Sequence, residues 1–370
     1  MGSFDQIRKI ASRFAFDGEF IHAEPFGQGH INDTYVVYYR TDLYSTRRYI
    51  IQRINHLVFK KPHEVMENIA NVTDHIREKV AAAGGDVLRE VMTVVRATSG
   101  ESYYIDREGN YFRAYVFVDD ATSYQTPEKP EYFYESARLF GRFQRMLVDF
   151  PAEKLFSVIP DFHNTRKRVE VFEDAVKADM CGRAAEVQAE IAFALERRKE
   201  MGLLVELLEA GKLPLRVTHN DTKLNNVMID NRTGKGICVV DLDTVMPGLS
   251  LYDYGDGIRF GASNAAEDEM DLEKVWVDLV LFESFTKGFL EEAGGSLIPA
   301  EINCLFDGAR IMTFECGIRF LTDYLNGDTY FKTHREGHNL DRCRTQFKLV
   351  ADMEKKESVM REIVKKCSKL

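Results

Sequence analysis

The sequence predicts an α+β chain in two lobes, an antiparallel sheet first and a mainly helical lobe after it. Three observations carry that expectation. β-Branched and aromatic clusters crowd residues 20–60 and 87–118. Apolar residues at helical spacing dominate beyond residue 124, and one short segment, 215–243, returns to strand texture inside the helical part.

The elements follow in order. Thr34-Tyr35-Val36-Val37-Tyr38-Tyr39, Tyr49-Ile50-Ile51, Val91-Met92-Thr93-Val94-Val95 and Tyr111-Phe112-Arg113-Ala114-Tyr115-Val116 read as strands. Asp106-Arg107-Glu108-Gly109-Asn110 supplies a hairpin turn between two of them. A helix opens at Pro62 and is ended by Gly84-Gly85. Asp119-Asp120-Ala121-Thr122-Ser123 breaks the strand pattern and reads as a hinge, which sets a sheet lobe over 1–118, a hinge over 119–123 and a helical lobe over 124–370. Phe133, Ala137, Phe140, Gln144 and Leu147 share one helix face, and 184–210 reads as one long charged amphipathic helix. Further helices are expected over 271–293, 299–325 and 340–366.

Composition narrows the function. A net charge of −10 argues against a general nucleic-acid or anionic-membrane surface, because both attract basic patches. The six cysteines are scattered with no C-x-x-C pair, as expected of reduced, mostly buried thiols. The N-terminal residues contain no apolar stretch of signal-peptide type, and Gln6 stands where myristoylation wants Ser or Thr. A cytoplasmic protein is expected. Its oligomeric state is left open.

The chemistry concentrates in His219-Asn220-Asp221-Thr222-Lys223-Leu224-Asn225-Asn226, which fits H-x-D-x-x-x-x-N. Fifteen residues beyond Asn226, the apolar run Val239-Val240 ends in Asp241-Leu242-Asp243. In kinases the loop Asp accepts the proton of the substrate hydroxyl, while the loop Asn and a strand-end Asp hold magnesium against the nucleotide phosphates. Asp221 is therefore the candidate base, and Asn226 and Asp241 are candidate metal ligands. Asp243 is either a second ligand or a residue that holds the loop. Lys223 is either a cation aimed at the transferring phosphoryl group or an exposed loop lysine. Asp253 is expected to brace the loop. Gly27-Gln28-Gly29 lies between two strands, where glycines let backbone amides approach phosphates. The third strand should end in a phosphate-pairing lysine; Arg53 stands there instead, with Glu67, or Glu64, as its ion-pair partner.

These residues, with Tyr252-Asp253-Tyr254-Gly255, resemble the aminoglycoside phosphotransferase and choline kinase superfamily. Several longer stretches are similar to the N-acetylhexosamine 1-kinases: Gly29-His30-Ile31-Asn32-Asp33-Thr34-Tyr35, Gln52-Arg53-Ile54-Asn55, Val65-Met66-Glu67-Asn68-Ile69, Asp241-Leu242-Asp243-Thr244-Val245-Met246-Pro247-Gly248, and Arg319-Phe320-Leu321-Thr322-Asp323-Tyr324-Leu325 continuing to Gly327-Asp328-Thr329-Tyr330-Phe331. The resemblance spans roughly residues 20–355. It implies a two-lobed protein-kinase-like fold, ATP and Mg²⁺ as cofactors, and phosphorylation of the anomeric hydroxyl of N-acetylglucosamine or N-acetylgalactosamine.

For the sugar, Arg319 and Asp323 share one helical face and Tyr330 follows on the next loop, a set suited to hydroxyls and a sugar's apolar side. An intrahelical Arg–Asp ion pair beside a core tyrosine fits the same pattern. Three other functions remain open: a related kinase acting on an aminoglycoside, choline or another hydroxyl substrate; a protein kinase, disfavoured because no A-P-E segment follows Asp241; and a nucleotide-binding scaffold without catalysis.

Overall fold

The computed structural model describes residues 4–27, 32–56, 58–125 and 130–369. The chain divides into two compact units. The first comprises Met1–Ser123, Asp149–Ile159 and Asn226–Met246; the second comprises Tyr124–Val148, Pro160–Asn225 and Pro247–Leu370. The first is an antiparallel-sheet lobe and the second is helical, so the α+β expectation holds.

The first unit starts with α1 (Phe4–Ala11), which the sequence reading did not anticipate. Strands β1 (Glu19–Pro25), β2 (Asp33–Arg40), β3 (Thr46–Arg53), β4 (Val94–Val95), β5 (Tyr104–Ile105) and β6 (Tyr111–Val116) form an antiparallel sheet in the order β1-β2-β3-β6-β4, with β5 also on β6. Alternation decides the faces. Tyr35, Val37, Tyr39, Tyr49, Ile51, Phe112 and Ala114 share one face and pack on Ile7, Ile10, Ala11 and Phe14. Burial of each large apolar side chain contributes about 1.5–3 kcal/mol. The expected strand 91–95 shrinks to Val94–Val95. Side chains hold the preceding backbone in turns: Asp86 Oδ1 accepts from Leu88 N at 3.0 Å, and Thr93 Oγ1 donates to Val87 O at 3.2 Å.

Helix α2 (Pro62–Ala82) carries Pro at its first turn, where a missing N–H costs nothing, and is followed by Gly84 at φ +74°. The 119–123 segment contributes β7 (Ala121–Thr122). It pairs with Val227–Asp230, which in turn pairs with Gly236–Val239.

The second unit contains α3 (Pro130–Met146), α4 (Thr165–Ala178), α5 (Gln188–Arg197), α6 (Leu203–Glu209), α7 (Ser250–Gly261), α8 (Leu279–Ala293), α9 (Pro299–Asn303), α10 (Leu305–Leu325) and α11 (His338–Cys367). The single helix expected over 184–210 is broken into α5 and α6 by the 3₁₀ turn Glu200–Gly202. Gly202 is a poor helix former, and a Cβ there would lie only 3.0 Å from Arg166 Cγ. The helix expected from 271 begins at Leu279, because Asp278 accepts from Val280 N at 2.8 Å and Leu281 N at 3.1 Å as an N-cap. Helices α7 and α10 meet through glycines. A Cβ on Gly255 would fall 2.4 Å from Gly308 O, and one on Gly308 would fall 2.9 Å from Leu251 O.

Candidate active site

In the second unit, strand Arg216–Thr218 runs into the H-x-D loop. Asn220 turns the chain with φ 65°, a left-handed conformation that asparagine tolerates. Asp253, on the first turn of α7, braces the turn as expected. Its Oδ2 accepts from His219 N at 3.0 Å and its Oδ1 from Asn220 N at 2.8 Å, while Gln144 Nε2 also donates to Oδ2. Burial pushes the Asp253 carboxyl up, against His219 and these hydrogen bonds, which favour the carboxylate. One turn later Asp256 accepts from Thr222 N at 2.9 Å and pairs with Arg259 at 2.9 Å. The His219 ring is fully buried against Phe140 and Phe143, and its Nδ1 accepts from Asp221 N at 3.2 Å. It is a structural residue.

Asp221 and Lys223 form an ion pair, Oδ1 to Nζ at 2.6 Å. Burial opposes the Lys223 charge, but Asp221 and Asp256 outweigh it and hold the ammonium well above the ordinary lysine range. Lys223 is thus a fixed cation beside the candidate base.

The first unit carries the candidate metal ligands. In the hairpin Val227–Asp230/Gly236–Val239, Val239 stands opposite Val227. Val240 N donates to Asn226 O at 2.9 Å. Register therefore brings Asn226 and Asp241 to the same end of the hairpin. Both offer hard oxygen donors, and Asp241 turns the chain at φ 60°. Among the described residues no cluster of three or more His, Cys, Asp or Glu side chains forms a metal cage. A magnesium held by one or two protein oxygens, with phosphates and water completing it, suits this donor set.

Asp243 does not suit it, which corrects its expected place among the metal ligands. Its Oδ1 pairs with Arg113, and its Oδ2 accepts from Asn32 Nδ2 at 2.8 Å. Both members of the ion pair are buried. Burial works against the Arg113 charge, but Asp243 dominates and holds the guanidinium above its usual range. Arg113 Nε also donates to Gln52 Oε1 at 2.9 Å, and Asn32 Oδ1 accepts from Asn55 N at 2.9 Å. Asp243 therefore ties its turn to β3, β6 and the residue that precedes β2.

The same strands give Arg53 a partner other than the expected glutamate. It has the parity of Ile51 and lies on the α1 side of the sheet, whereas Gln52 and Arg113 lie on the opposite side. Arg53 pairs with Asp33 at 2.6 Å, with both side chains half exposed. No ion pair joins it to Glu67 among the described residues. Glu67 is exposed, and Glu64 pairs with Lys61 at 2.8 Å. The neighbouring residue, Asn68, makes the connection from α2: its Nδ2 donates to Val245 O at 2.9 Å and to Phe156 O at 2.8 Å. Gly27 has φ +76°, which favours glycine, while Gln28 and Gly29 lie outside the described residues.

On α10, Arg319 makes no hydrogen bond or ion pair among the described residues. Its guanidinium instead sits among three rings, 5.1 Å from the centroid of Phe162, 5.5 Å from Phe331 and 6.0 Å from Tyr330. Asp323 departs from its expected substrate role. Its carboxylate accepts from Thr329 N, Tyr330 N and Phe331 N at 3.0, 2.8 and 2.9 Å and from Asn339 Nδ2 at 2.9 Å, so it shapes the loop bearing Tyr330. The Arg319–Asp323 ion pair does not form. Sequence reasoning missed Arg113 and Asn68; a charged residue in the middle of an apolar strand was the available signal for the first.

Residues 22–275 match the model of the phosphotransferase enzyme family APH. Among solved structures, the chain is similar to a microcompartment-associated aminopropanol kinase, at 15% identity over 96% of this chain and 98% of that one, with a TM-score of 0.60. It is also similar to a spectinomycin phosphotransferase solved with ADP and spectinomycin, at 14% identity over 100% and 99% of the two chains, with a TM-score of 0.55. A choline kinase from Cryptosporidium parvum Iowa II gives 14% identity over 97% of each chain and a TM-score of 0.53.

Proposed function

The chain belongs to the APH phosphotransferase enzyme family, and from that premise we propose that it transfers the γ-phosphoryl group of ATP to the anomeric hydroxyl of an N-acetylhexosamine. Asp221 accepts the hydroxyl proton. An anomeric hydroxyl is more acidic than an ordinary alcohol, so a weakly basic carboxylate suffices. Lys223 orients Asp221 and offsets the negative charge that gathers around the transferred group. Asn226 and Asp241 would hold magnesium, which supplies charge neutralisation at the phosphates when bound. Gly27, at φ +76°, would stand beside them.

The observation that carries the acceptor assignment is the ring-enclosed Arg319. Aromatic boxes bind quaternary ammonium groups in other proteins, but here the rings of Phe162, Tyr330 and Phe331 already surround a guanidinium. Burial and the nearby Arg319 together lower the Arg168 pKa, a sign of crowded positive charge. Such a site disfavours choline or a polycationic aminoglycoside and suits a neutral, hydroxyl-rich acceptor. The sequence stretches shared with N-acetylhexosamine 1-kinases support the same reading.

The test is an acceptor panel with ATP and Mg²⁺, containing N-acetylglucosamine, N-acetylgalactosamine, choline and an aminoglycoside, with the phosphorylated position assigned by NMR. Product at the anomeric position of an N-acetylhexosamine is expected; turnover of choline or the aminoglycoside alone would overturn the assignment. Arg319→Ala should lower kcat/KM for the sugar by about 1.5–3 kcal/mol in transition-state terms and leave KM for ATP nearly unchanged. Tyr330→Phe should do less, because that side chain is largely exposed.

A further inference from the structure

Asn68 is a buried amide on α2, 1% exposed, with both of its donors and its carbonyl in use. Its Nδ2 donates to Val245 O at 2.9 Å and to Phe156 O at 2.8 Å, and its Oδ1 accepts from Phe156 N at 2.9 Å. Two carbonyls and one N–H surround the side chain, which only a primary amide can answer in one orientation. All three partners are main-chain groups of the first unit.

Phe156 belongs to the segment 149–159, which α2 also holds further along. There His75 Nε2 lies 3.0 Å from Asp149 Oδ1, and Lys79 pairs with the same carboxylate. Val245 closes the turn that starts at Asp241. Leu242–Thr244 form a single 3₁₀ turn between the two, and Val245 N donates to Leu242 O at 3.1 Å. Asp243, in the middle of that turn, is tied to the sheet through Arg113 and Asn32. The far end of the turn is tied to α2 through Asn68. Few backbone torsions separate Val245 from Asp241, so a shift of the Val245 carbonyl is passed to the Asp241 carboxylate within one turn. The acidic residues of α2 take no part in this link, because Glu64 pairs with Lys61 and Arg53 pairs with Asp33.

We infer that Asn68 is a positioning residue for magnesium: from α2 it sets the Asp241 turn, so that the carboxylate meets the metal and the phosphates without rearrangement. This rests on Asp241 as a metal ligand, as proposed above. Asn68 itself touches neither the metal nor the nucleotide and acts through the Val245 carbonyl. The tie is uncharged, so it fixes main chain and adds no ion pair at the turn.

The test measures ATP affinity with and without Mg²⁺ by calorimetry on the full chain, for wild type, Asn68→Leu and Asp149→Ala. Leucine keeps the size of the side chain and removes its hydrogen bonds. The gain in ATP affinity on adding Mg²⁺ should fall about tenfold in Asn68→Leu, while affinity for metal-free ATP stays within about twofold of wild type. Asp149→Ala loosens the other attachment of 149–159; it should lower the urea midpoint and leave the magnesium gain unchanged. A folded Asn68→Leu protein with the wild-type gain overturns the inference. An equal loss of gain in Asp149→Ala also overturns it, because general loosening of α2 would then be the cause. Should Asn68→Leu not fold, hydrogen exchange on wild type decides. Coupling is reciprocal, so Mg·ATP should slow exchange of the Phe156 amide, which donates to Asn68, more than ATP alone does. Equal protection by both would overturn the inference. Failure of the metal assignment is distinct: Asp241→Ala would then keep the full magnesium gain, and the inference would fall with it.

Discussion

The turn at Asn220 and the turn at Asp241 solve the same local problem by different means. Each follows a short strand, each puts a non-glycine residue in the left-handed region, and each depends on one buried carboxylate nearby. Asp253 accepts backbone N–H groups of His219 and Asn220, so it grips the loop irrespective of most side chains there. Asp243 is gripped by side chains, Arg113 from β6 and Asn32 from the approach to β2. The first arrangement joins the loop to α7, with Gln144 of α3 as a further donor, and involves no strand of the sheet. The second couples a turn to the sheet, so disturbance of β6 should be felt at Asp241.

The largest effect should separate the chemistry from both anchors. Asp221→Asn should retain ATP binding and its fold while losing roughly 10²–10⁴-fold in kcat, the usual contribution of a positioned general base; near-normal turnover would remove Asp221 from the mechanism. Asp241→Ala should instead abolish the metal dependence of nucleotide binding in calorimetry. Next comes Arg113→Met. It strands a buried carboxylate and should cost about 3–5 kcal/mol in urea denaturation, with Mg·ATP affinity falling alongside. Adding Asp243→Leu should recover most of the stability but not the affinity, because the turn stays untied. Recovery of both would mean that Asp243 only fills space. The smallest effect should be Asp253→Asn, which keeps one acceptor and turns an amide donor toward the loop, a loss of about 1–3 kcal/mol in stability. Its kcat should fall while its ATP affinity holds. If ATP affinity fell as far as in Arg113→Met, the two anchors would not be separable.

The contrast also explains what could be read in the sequence. The Asn220 turn was legible because its residues and its brace recur at short, fixed spacings, His219 to Asn226 and then Asp253. The Asp243 anchor was not, because its partner lies 130 positions earlier in the chain and pairing depends on strand register. Register also decides what Arg53 meets, Asp33 rather than the expected glutamate of α2. Counting along the chain found the end of β3 but could not give the face, because a one-residue shift reverses it. The helix over 62–83 was well marked by Pro62 and Gly84, whereas the 3₁₀ break at Glu200–Gly202 has only a lone glycine to mark it. Arg319 and Tyr330 do converge around one set of rings. Asp323, the residue chosen for its spacing from Arg319, serves the loop backbone instead.

The glycine contact between α7 and α10 has a consequence for anyone reshaping acceptor preference. Helix α7 carries the carboxylates that hold the catalytic loop, and α10 carries Glu315 and Arg319. Where the helices touch, main chain meets main chain, as the 2.4 Å and 2.9 Å clashes of added Cβ atoms at Gly255 and Gly308 indicate. The spacing between loop brace and Arg319 is therefore set by main-chain contact between the two helices. If the rings around Arg319 receive the acceptor as proposed, changing Phe162, Tyr330 or Phe331 would alter the walls and leave this spacing untouched, whereas a single methyl group at Gly255 or Gly308 would push the two helices apart.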